Sequence, residues 1–186
     1  KGFVELVGLV FCCVLMLTFS ASTVMAADTE LTLVKDGKVN STIVTAKNPS
    51  PAVNLAAIEL QYFVKLMTGA TLPIADDSKD VSGIKILIGE SSSTRELGLD
   101  SSKYHQMQKL IKFYSDALVL LGRDDKAEDC RPFPPPTNGD RERSMIIDYY
   151  KTVGAKGPRQ MVHIPGMYDY QGSLRATYRF LEEWCG

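Results

Sequence analysis

The sequence has few of the side chains from which most catalytic and metal sites are built. It contains two histidines, one tryptophan and four cysteines among 186 residues. Its 21 lysines and arginines nearly balance 22 aspartates and glutamates, which leaves a formal net charge of −1. Balanced charge without a basic stripe gives no electrostatic footprint for nucleic acid, so we expect no nucleic-acid partner. The length fits one domain.

The histidines and cysteines also lack the spacing of metal ligands. Neither His105 nor His163 lies in an H-E-x-x-H pattern or at ligand spacing from another histidine or cysteine. Carboxylates cluster at 124–129, but the glycine and the final glutamate of an EF-hand loop are missing. Loop charges of this kind are usually solvated. The sequence therefore predicts no metal site and no cofactor.

No constellation for catalysis stands out either. The chain has no phosphate-binding glycine loop and no nucleophile elbow. A glycosidase needs two carboxylates about 5–10 Å apart on either side of the scissile bond. Glu182 and Glu183 are adjacent on a predicted helix and point in different directions, so we interpret them as surface residues. The sequence assigns no catalytic residue, and an independent hydrolase activity is the least favoured hypothesis.

The longest hydrophobic run lies near the N-terminus. Leu6–Phe19 is almost entirely apolar, and small residues at Val24 and Ala26 flank Met25. A membrane-spanning helix needs roughly 20 apolar residues, more than this run supplies. The pattern predicts a signal peptide over 1–26 with cleavage near Ala26, which leaves 27–186 secreted or periplasmic and off the membrane. An uncleaved N-terminal anchor is the alternative.

Cleavage would separate two of the four cysteines from the other two. Cys12 and Cys13 lie in the signal segment, and Cys130 and Cys185 remain in the exported domain. The sequence fits a Cys130–Cys185 disulfide and two separate thiols equally well, because it does not show how close they are.

The exported part begins with β-rich runs and a long helix. Runs at 31–34 and 41–45 flank Asp36-Gly37, a dipeptide typical of hairpin turns, so we expect the two runs to pair. Ser50 and Pro51 then supply an N-cap and a first helical residue. Gly69 ends the helix as a C-cap.

The helix has one narrow polar stripe, and the rest of its surface is largely apolar. The predicted stripe consists of Asn54, Gln61, Lys65 and Thr68. The apolar remainder includes Ala52, Leu55, Ala56, Leu60, Phe63, Leu66 and Met67. Glu59 falls within this apolar surface. No second carboxylate or histidine lies at helical spacing from it, so we interpret Glu59 as a structural buried carboxylate rather than a site residue.

Four further strands and a closing helix complete the prediction. Strands are expected at 72–75, 84–88, 109–114 and 117–121, the first at a sheet edge because of Pro73 and the last near the sheet centre. An irregular insertion spans about 124–171, and an amphipathic helix covers 172–186. The expected fold class is α/β (α+β), a single β-sheet with two main helices packed on one face.

The order of these segments resembles a known module. The helix LAAIELQYFVKLMTGATLPI, the strands KILIGES and ALVLLGRDD, and the closing GSLRATYRFLEEWCG occur in that order. They resemble the N-terminal non-catalytic α/β domain of family 20 β-hexosaminidases and α-glucuronidases, and the related domain of unknown function in large secreted bacterial proteins. The resemblance implies the domain 2-like fold of β-hexosaminidase, followed in those glycoside hydrolases by the catalytic barrel.

The resemblance implies a function without catalysis in this chain. We expect an accessory domain of an exported carbohydrate-active enzyme, with the catalytic barrel as its partner C-terminal to Gly186. The alternative is a stand-alone exported module that binds carbohydrate or another partner. In that case aromatic rings of the insertion would bind sugar, and the candidate ligand-binding residues are Tyr149, Tyr150, Tyr168 and Tyr170.

Overall fold

A computed structural model describes residues 31–126, 165 and 169–185 of the chain. In this part, a two-stranded hairpin precedes a five-stranded sheet with the strand order β4-β3-β5-β7-β6. The strands are β1 (Val34–Lys35), β2 (Lys38–Val39), β3 (Ser41–Thr45), β4 (Ile74–Asp76), β5 (Ile84–Ile88), β6 (Lys109–Phe113) and β7 (Ala117–Gly122). The main helices are α1 (Pro51–Thr68) and α3 (Gly172–Trp184). The expected α+β single-sheet fold is confirmed.

The sheet is mixed, and its centre is its most apolar part. Strands β4, β3, β5 and β7 are parallel, whereas β6 pairs antiparallel with β7 at one edge. Every residue of β7 is buried, as expected for a strand covered on both faces. Strand β4 forms the other edge, with Pro73 directly before it, as predicted from the proline.

The predicted N-terminal hairpin forms, but with different strands. Asp36 and Gly37 have positive φ angles of 52° and 73° and connect β1 to β2. The run at 41–45 does not belong to this hairpin, because β3 pairs in parallel with β4 and β5. The pairing predicted between the two runs is therefore wrong. The buried core selects β3 for the main sheet, since all five of its residues are buried there.

The predicted ends of helix α1 are confirmed. The Ser50 hydroxyl accepts a hydrogen bond from the Val53 amide at 3.2 Å, and Pro51 is the first helical residue. At the other end, Gly69 has a φ of 74°, and its amide donates to the Lys65 carbonyl at 2.8 Å.

The predicted orientation of α1 is partly wrong. Gln61 from the expected polar stripe is buried, and its Nε2 donates to the Leu72 carbonyl at 2.6 Å. Phe63, Leu66 and Met67 from the expected apolar surface are exposed. Helix α1 contacts both the sheet and α3, so its buried side is set by two neighbours rather than by the sheet alone.

Helix α3 packs against α1, β7 and β6. Its buried side includes Leu174, Ala176 and Phe180, and its start lies very close to β7. A Cβ atom added at Gly172 would lie 2.7 Å from the Cα atom of Gly122, so the helix approaches the strand at a distance that only glycine permits.

The face of the sheet opposite α1 and α3 is covered by the connection between β5 and β6. This connection contains a short helix, α2 (Ser92–Glu96), and a 3₁₀ turn at Ser101–Lys103. Leu99 and Tyr104 from it pack on a second apolar cluster of the sheet. None of the helices among residues 31–126 and 169–185 is long and apolar enough to cross a membrane.

Candidate functional site

Glu59 lies half-buried in the interface between α1 and α3. Its carboxylate hydrogen-bonds the Tyr178 hydroxyl of α3. Burial raises the pKa of Tyr178 to about 12, and the negative charge and hydrogen bond of Glu59 contribute to the same shift. A neutral tyrosine donating to a carboxylate joins the two helices. This contact is structural in kind, and the sequence suggested no partner for Glu59 because α3 lies more than 100 residues further along the chain.

We expect Tyr178→Phe and Glu59→Gln each to lower the free energy of unfolding by about 0.5–1.5 kcal/mol, because each removes or weakens one interhelical hydrogen bond. Urea titration of the single and double variants measures the loss. If the pair acts as described, the losses of the two single variants will not add in the double variant. Strict additivity would show that the two side chains do not interact.

Tyr170 is the one predicted sugar-binding tyrosine that falls within the described residues. The Arg123 guanidinium lies over its ring, 4.5 Å from the centroid, so one face of the ring is already covered. The Tyr170 amide also donates to Asp125 Oδ2 at 2.8 Å. Tyr149, Tyr150 and Tyr168 lie outside the described residues. The four-tyrosine platform therefore stays a prediction.

The two ends of the insertion are joined by hydrogen bonds between residues 123–125 and 170–173, which we call the clasp. Asp125 and Tyr170 exchange two bonds, from the Asp125 amide to the Tyr170 carbonyl at 2.9 Å and from the Tyr170 amide to the Asp125 carboxylate. The Gly172 amide donates to the Arg123 carbonyl at 2.8 Å. The chain thus leaves β7 and returns to α3 at the same place.

Asp124 belongs to this clasp and is the most perturbed carboxyl group of the described chain. Its Oδ1 accepts from the Ser173 amide at 3.0 Å at the start of α3. Burial raises the pKa of Asp124 to about 6 and the charge of Asp125 adds to the rise, although the hydrogen bonds from Ser173 oppose it. The interpretation of this carboxylate as a solvated loop charge is wrong, because the start of α3 covers it.

A second polar cluster lies beyond the carboxyl ends of β4 and β5. Asp77 Oδ2 accepts from both the amide and the hydroxyl of Ser92, at 2.7 Å and 2.6 Å. These two bonds hold the pKa of Asp77 below its usual range, and the bond from the hydroxyl has the larger effect. Glu90 pairs with Arg95 at 2.9 Å and also accepts from the Ser101 hydroxyl. Neither carboxylate was predicted as a site residue from the sequence, although the position of each just after a strand was a usable signal.

These carboxylates are engaged in local structure. Asp77 holds the start of α2, and Glu90 bridges α2 to the 3₁₀ turn. Within residues 31–126 and 169–185, no three histidine, cysteine, aspartate or glutamate side chains are grouped closely enough to hold a metal ion. The hydrogen bonds and the ion pair of these carboxylates stabilise the connection that covers the sheet.

The remaining candidates lie apart from both clusters. His105 is exposed, and its amide donates to Gln108 Oε1 at 2.9 Å; His163 lies outside the described residues. Glu182 and Glu183 both pair with Arg179 on the outer side of α3. Cys185 carries a free thiol, and burial raises its pKa.

An apolar groove of about 890 Å³ lies between the N-terminal end of the described chain, α1 and α3. Its base is formed by the buried side chains of Val64, Leu118 and Phe180. Its rim includes Met67, which is 47% exposed, and Trp184, which is 51% exposed. The groove has the size of a ligand cleft, about 300–1,000 Å³, but few polar side chains line it.

Aromatic rings give one end of the groove a fixed shape. Trp184 stacks on Phe180 with ring centroids 5.9 Å apart and contacts Phe113 at 5.5 Å. Because Phe180 is buried in the core, the Trp184 ring is held against a rigid support while half of it stays exposed. The groove and its exposed rim are therefore a preformed apolar surface.

No protein-family model matches this chain, and no curated protein sequence is significantly similar to it.

Proposed function

We propose that this chain is the non-catalytic accessory domain of an exported carbohydrate-active enzyme of the glycoside hydrolase type, and that it packs against a catalytic domain of the same polypeptide. The proposal starts from the resemblance of its segments to such domains. The fold supports it, because a single sheet carries two helices on one face in the order that the resemblance implies.

The observation that carries the proposal is the apolar surface of α1 that no described residue covers. Phe63 is 36% exposed, Leu66 61% and Met67 47%, all within the last two turns of the helix. Trp184 at the end of α3 adds a fourth large apolar side chain. Contiguous apolar side chains of this kind usually mark a contact with another protein surface. A neighbouring domain would bury them.

The charged groups of the described chain fit a supporting role. Asp77, Glu90 and Asp124 are each bound to local amides, hydroxyls or an arginine. Chemistry on a glycosidic bond would come from the partner domain, whose two carboxylates flank the substrate.

The first test is the intact mass of the exported protein. We expect a polypeptide longer than the present sequence by a catalytic domain of about 250 residues or more, the usual size of a barrel. An exported polypeptide that ends at Gly186 would overturn the proposal, and sugar binding by the isolated domain would then be the next function to examine.

A substitution tests the packing itself in the longer polypeptide. Leu66→Asp should lower the melting temperature or separate the unfolding transitions of the two domains, because it places a charge in the buried contact. The matched control is Met107→Asp, since Met107 is also highly exposed, at 65%, but lies before β6 and away from α1. Equal behaviour of the two variants would show that α1 is not the contact surface.

A further inference from the structure

The apolar groove lies at the point where the described chain begins. Leu31, Leu33 and Val34 line it together with Met67 and Trp184. The backbone of this first segment is held in place, because the Leu33 carbonyl accepts from the Asn40 amide at 3.0 Å. Residues N-terminal to Leu31 are therefore covalently attached at the groove itself.

The longest apolar run of the chain is close to this attachment point in sequence. Residues 20–30 separate Leu6–Phe19 from Leu31. Eleven extended residues reach roughly 36 Å, which is more than enough to return the run to a groove that begins at residue 31. A tether of this length also raises the effective concentration of the run at the groove to about the millimolar range.

We propose that, in the chain before signal cleavage, part of the apolar run Leu6–Phe19 packs into the groove. The match is one of chemistry and size. The run supplies leucine, valine and phenylalanine side chains, and the groove offers an apolar base of about 890 Å³, enough for a few of them. Removing both apolar surfaces from water drives the contact.

Cleavage near Ala26 then has a structural consequence. It removes the covalent tether, the run dissociates, and the groove and its rim become available for contact with another domain. The inference concerns the uncleaved chain and does not depend on the proposed accessory function. The two are also tested separately, because Leu66, which probes the domain contact, is not part of the groove.

The single tryptophan reports directly on the groove. A site-specific protease site is inserted between Ala26 and Ala27 of the full chain, and Trp184 fluorescence is recorded in detergent-free buffer before and after cutting. Trp184 is 51% exposed in the open groove, so packing of the run should reduce acrylamide quenching about twofold and shift the emission to shorter wavelength until cleavage reverses both. Identical emission and quenching before and after cutting would overturn the proposal.

Cysteines already in the chain provide a second measurement. Cys12 and Cys13 lie in the middle of the run, and Cys185 lines the groove. In full chains with Cys130→Ser and one of the two leader cysteines also changed to serine, copper phenanthroline oxidises two thiols to one disulfide. Because the two Cα atoms must come within about 7 Å, a link from Cys12 or Cys13 to Cys185 within one chain requires the run to lie at the groove.

Met67→Asp and Met107→Asp complete the experiment. The first places a charge on the rim of the groove and should reduce the cross-link and restore quenching of Trp184, whereas the second should leave both unchanged. Links between different chains, or protection of Trp184 that rises with protein concentration, would show that a second copy occupies the groove and would overturn the proposal. The absence of any link to Cys185 would overturn it as well.

Discussion

Gly89→Ala should destabilise the protein by about 2–4 kcal/mol. Gly89 follows β5 with a φ of +76°, and a Cβ atom there would lie 2.2 Å from Cγ2 of the buried Val53. The left-handed backbone costs about 1–2 kcal/mol for an alanine. Overpacking against a buried side chain adds about 1–3 kcal/mol, since α1 must move away from the sheet or Val53 must leave its rotamer. Urea unfolding followed by far-UV circular dichroism measures the loss.

Gly98→Ala is the matched control for this prediction. Gly98 has nearly the same φ, +73°, but a Cβ atom there would have no neighbour within 4 Å. We expect its loss to be limited to the backbone cost of about 1–2 kcal/mol. The difference between the two variants measures the steric contact of Gly89 with Val53.

A double variant identifies the atom responsible. Val53→Ala removes the side chain that the new methyl group would meet, so the double variant Val53→Ala/Gly89→Ala should lose less stability than the sum of its single variants, by about 1–2 kcal/mol. Equal losses of stability for Gly89→Ala and Gly98→Ala, together with additive effects in the double variant, would show that Val53 moves aside without a free-energy cost.

Asp124→Asn should stabilise the protein at neutral pH by about 1–3 kcal/mol. The pKa of Asp124 is about 6 in the folded chain and 3.8 in the reference state. The folded state therefore binds more protons than the unfolded state between these values, and stability falls as the pH rises from about 4 to about 6. Above that range the folded chain bears the full cost of the buried charge. Asparagine avoids the charge and keeps an oxygen that accepts from the Ser173 amide.

The pH dependence separates this explanation from a simple packing effect. Urea titration at several pH values gives the free energies of unfolding of Asp124→Asn and of the original chain. The two values should converge near pH 3.5 and should differ most above about pH 6.5. Loss of stability in the variant at pH 7.5 would mean that the carboxylate form of Asp124 holds the clasp.

Asp77→Asn is a control for which the change in stability at neutral pH should have the opposite sign. The hydrogen bonds from Ser92 lower the pKa of Asp77, so its contribution to stability is present above the unfolded pKa and is lost as the pH falls through the folded pKa. This variant should be less stable than the original chain at neutral pH, and the difference should shrink in acid. The two aspartates thus respond to pH in opposite directions, because desolvation dominates the pKa shift of Asp124 and hydrogen bonds from Ser92 dominate that of Asp77.

The candidate sites were less visible in the sequence than the fold. Asp124 looked like one of several loop charges, since nothing local indicates that it accepts a hydrogen bond from the Ser173 amide 49 residues away. Glu59 stood out as a charge among apolar residues, but its partner Tyr178 lies on another helix. Sites made by residues far apart in sequence leave no spacing to recognise, and their electrostatics depend on burial that only packing creates.

Local chemistry determined the elements of this protein. Ser50, Pro51 and Gly69 set the ends of α1, because caps act through bonds to amides and carbonyls a few residues away. The apolar run of β7 indicated a strand near the sheet centre, since a strand covered on both faces is apolar throughout.

Tertiary structure decided how these elements meet. It placed β3 in the main sheet rather than in the hairpin and turned α1 so that Gln61 is buried while Leu66 is exposed. It also brought Leu33 and Trp184 to the same apolar groove. Sequence periodicity shows which side of a helix is apolar, but the neighbours that cover it come from distant parts of the chain. Their packing fixes which apolar side chains stay exposed for a partner.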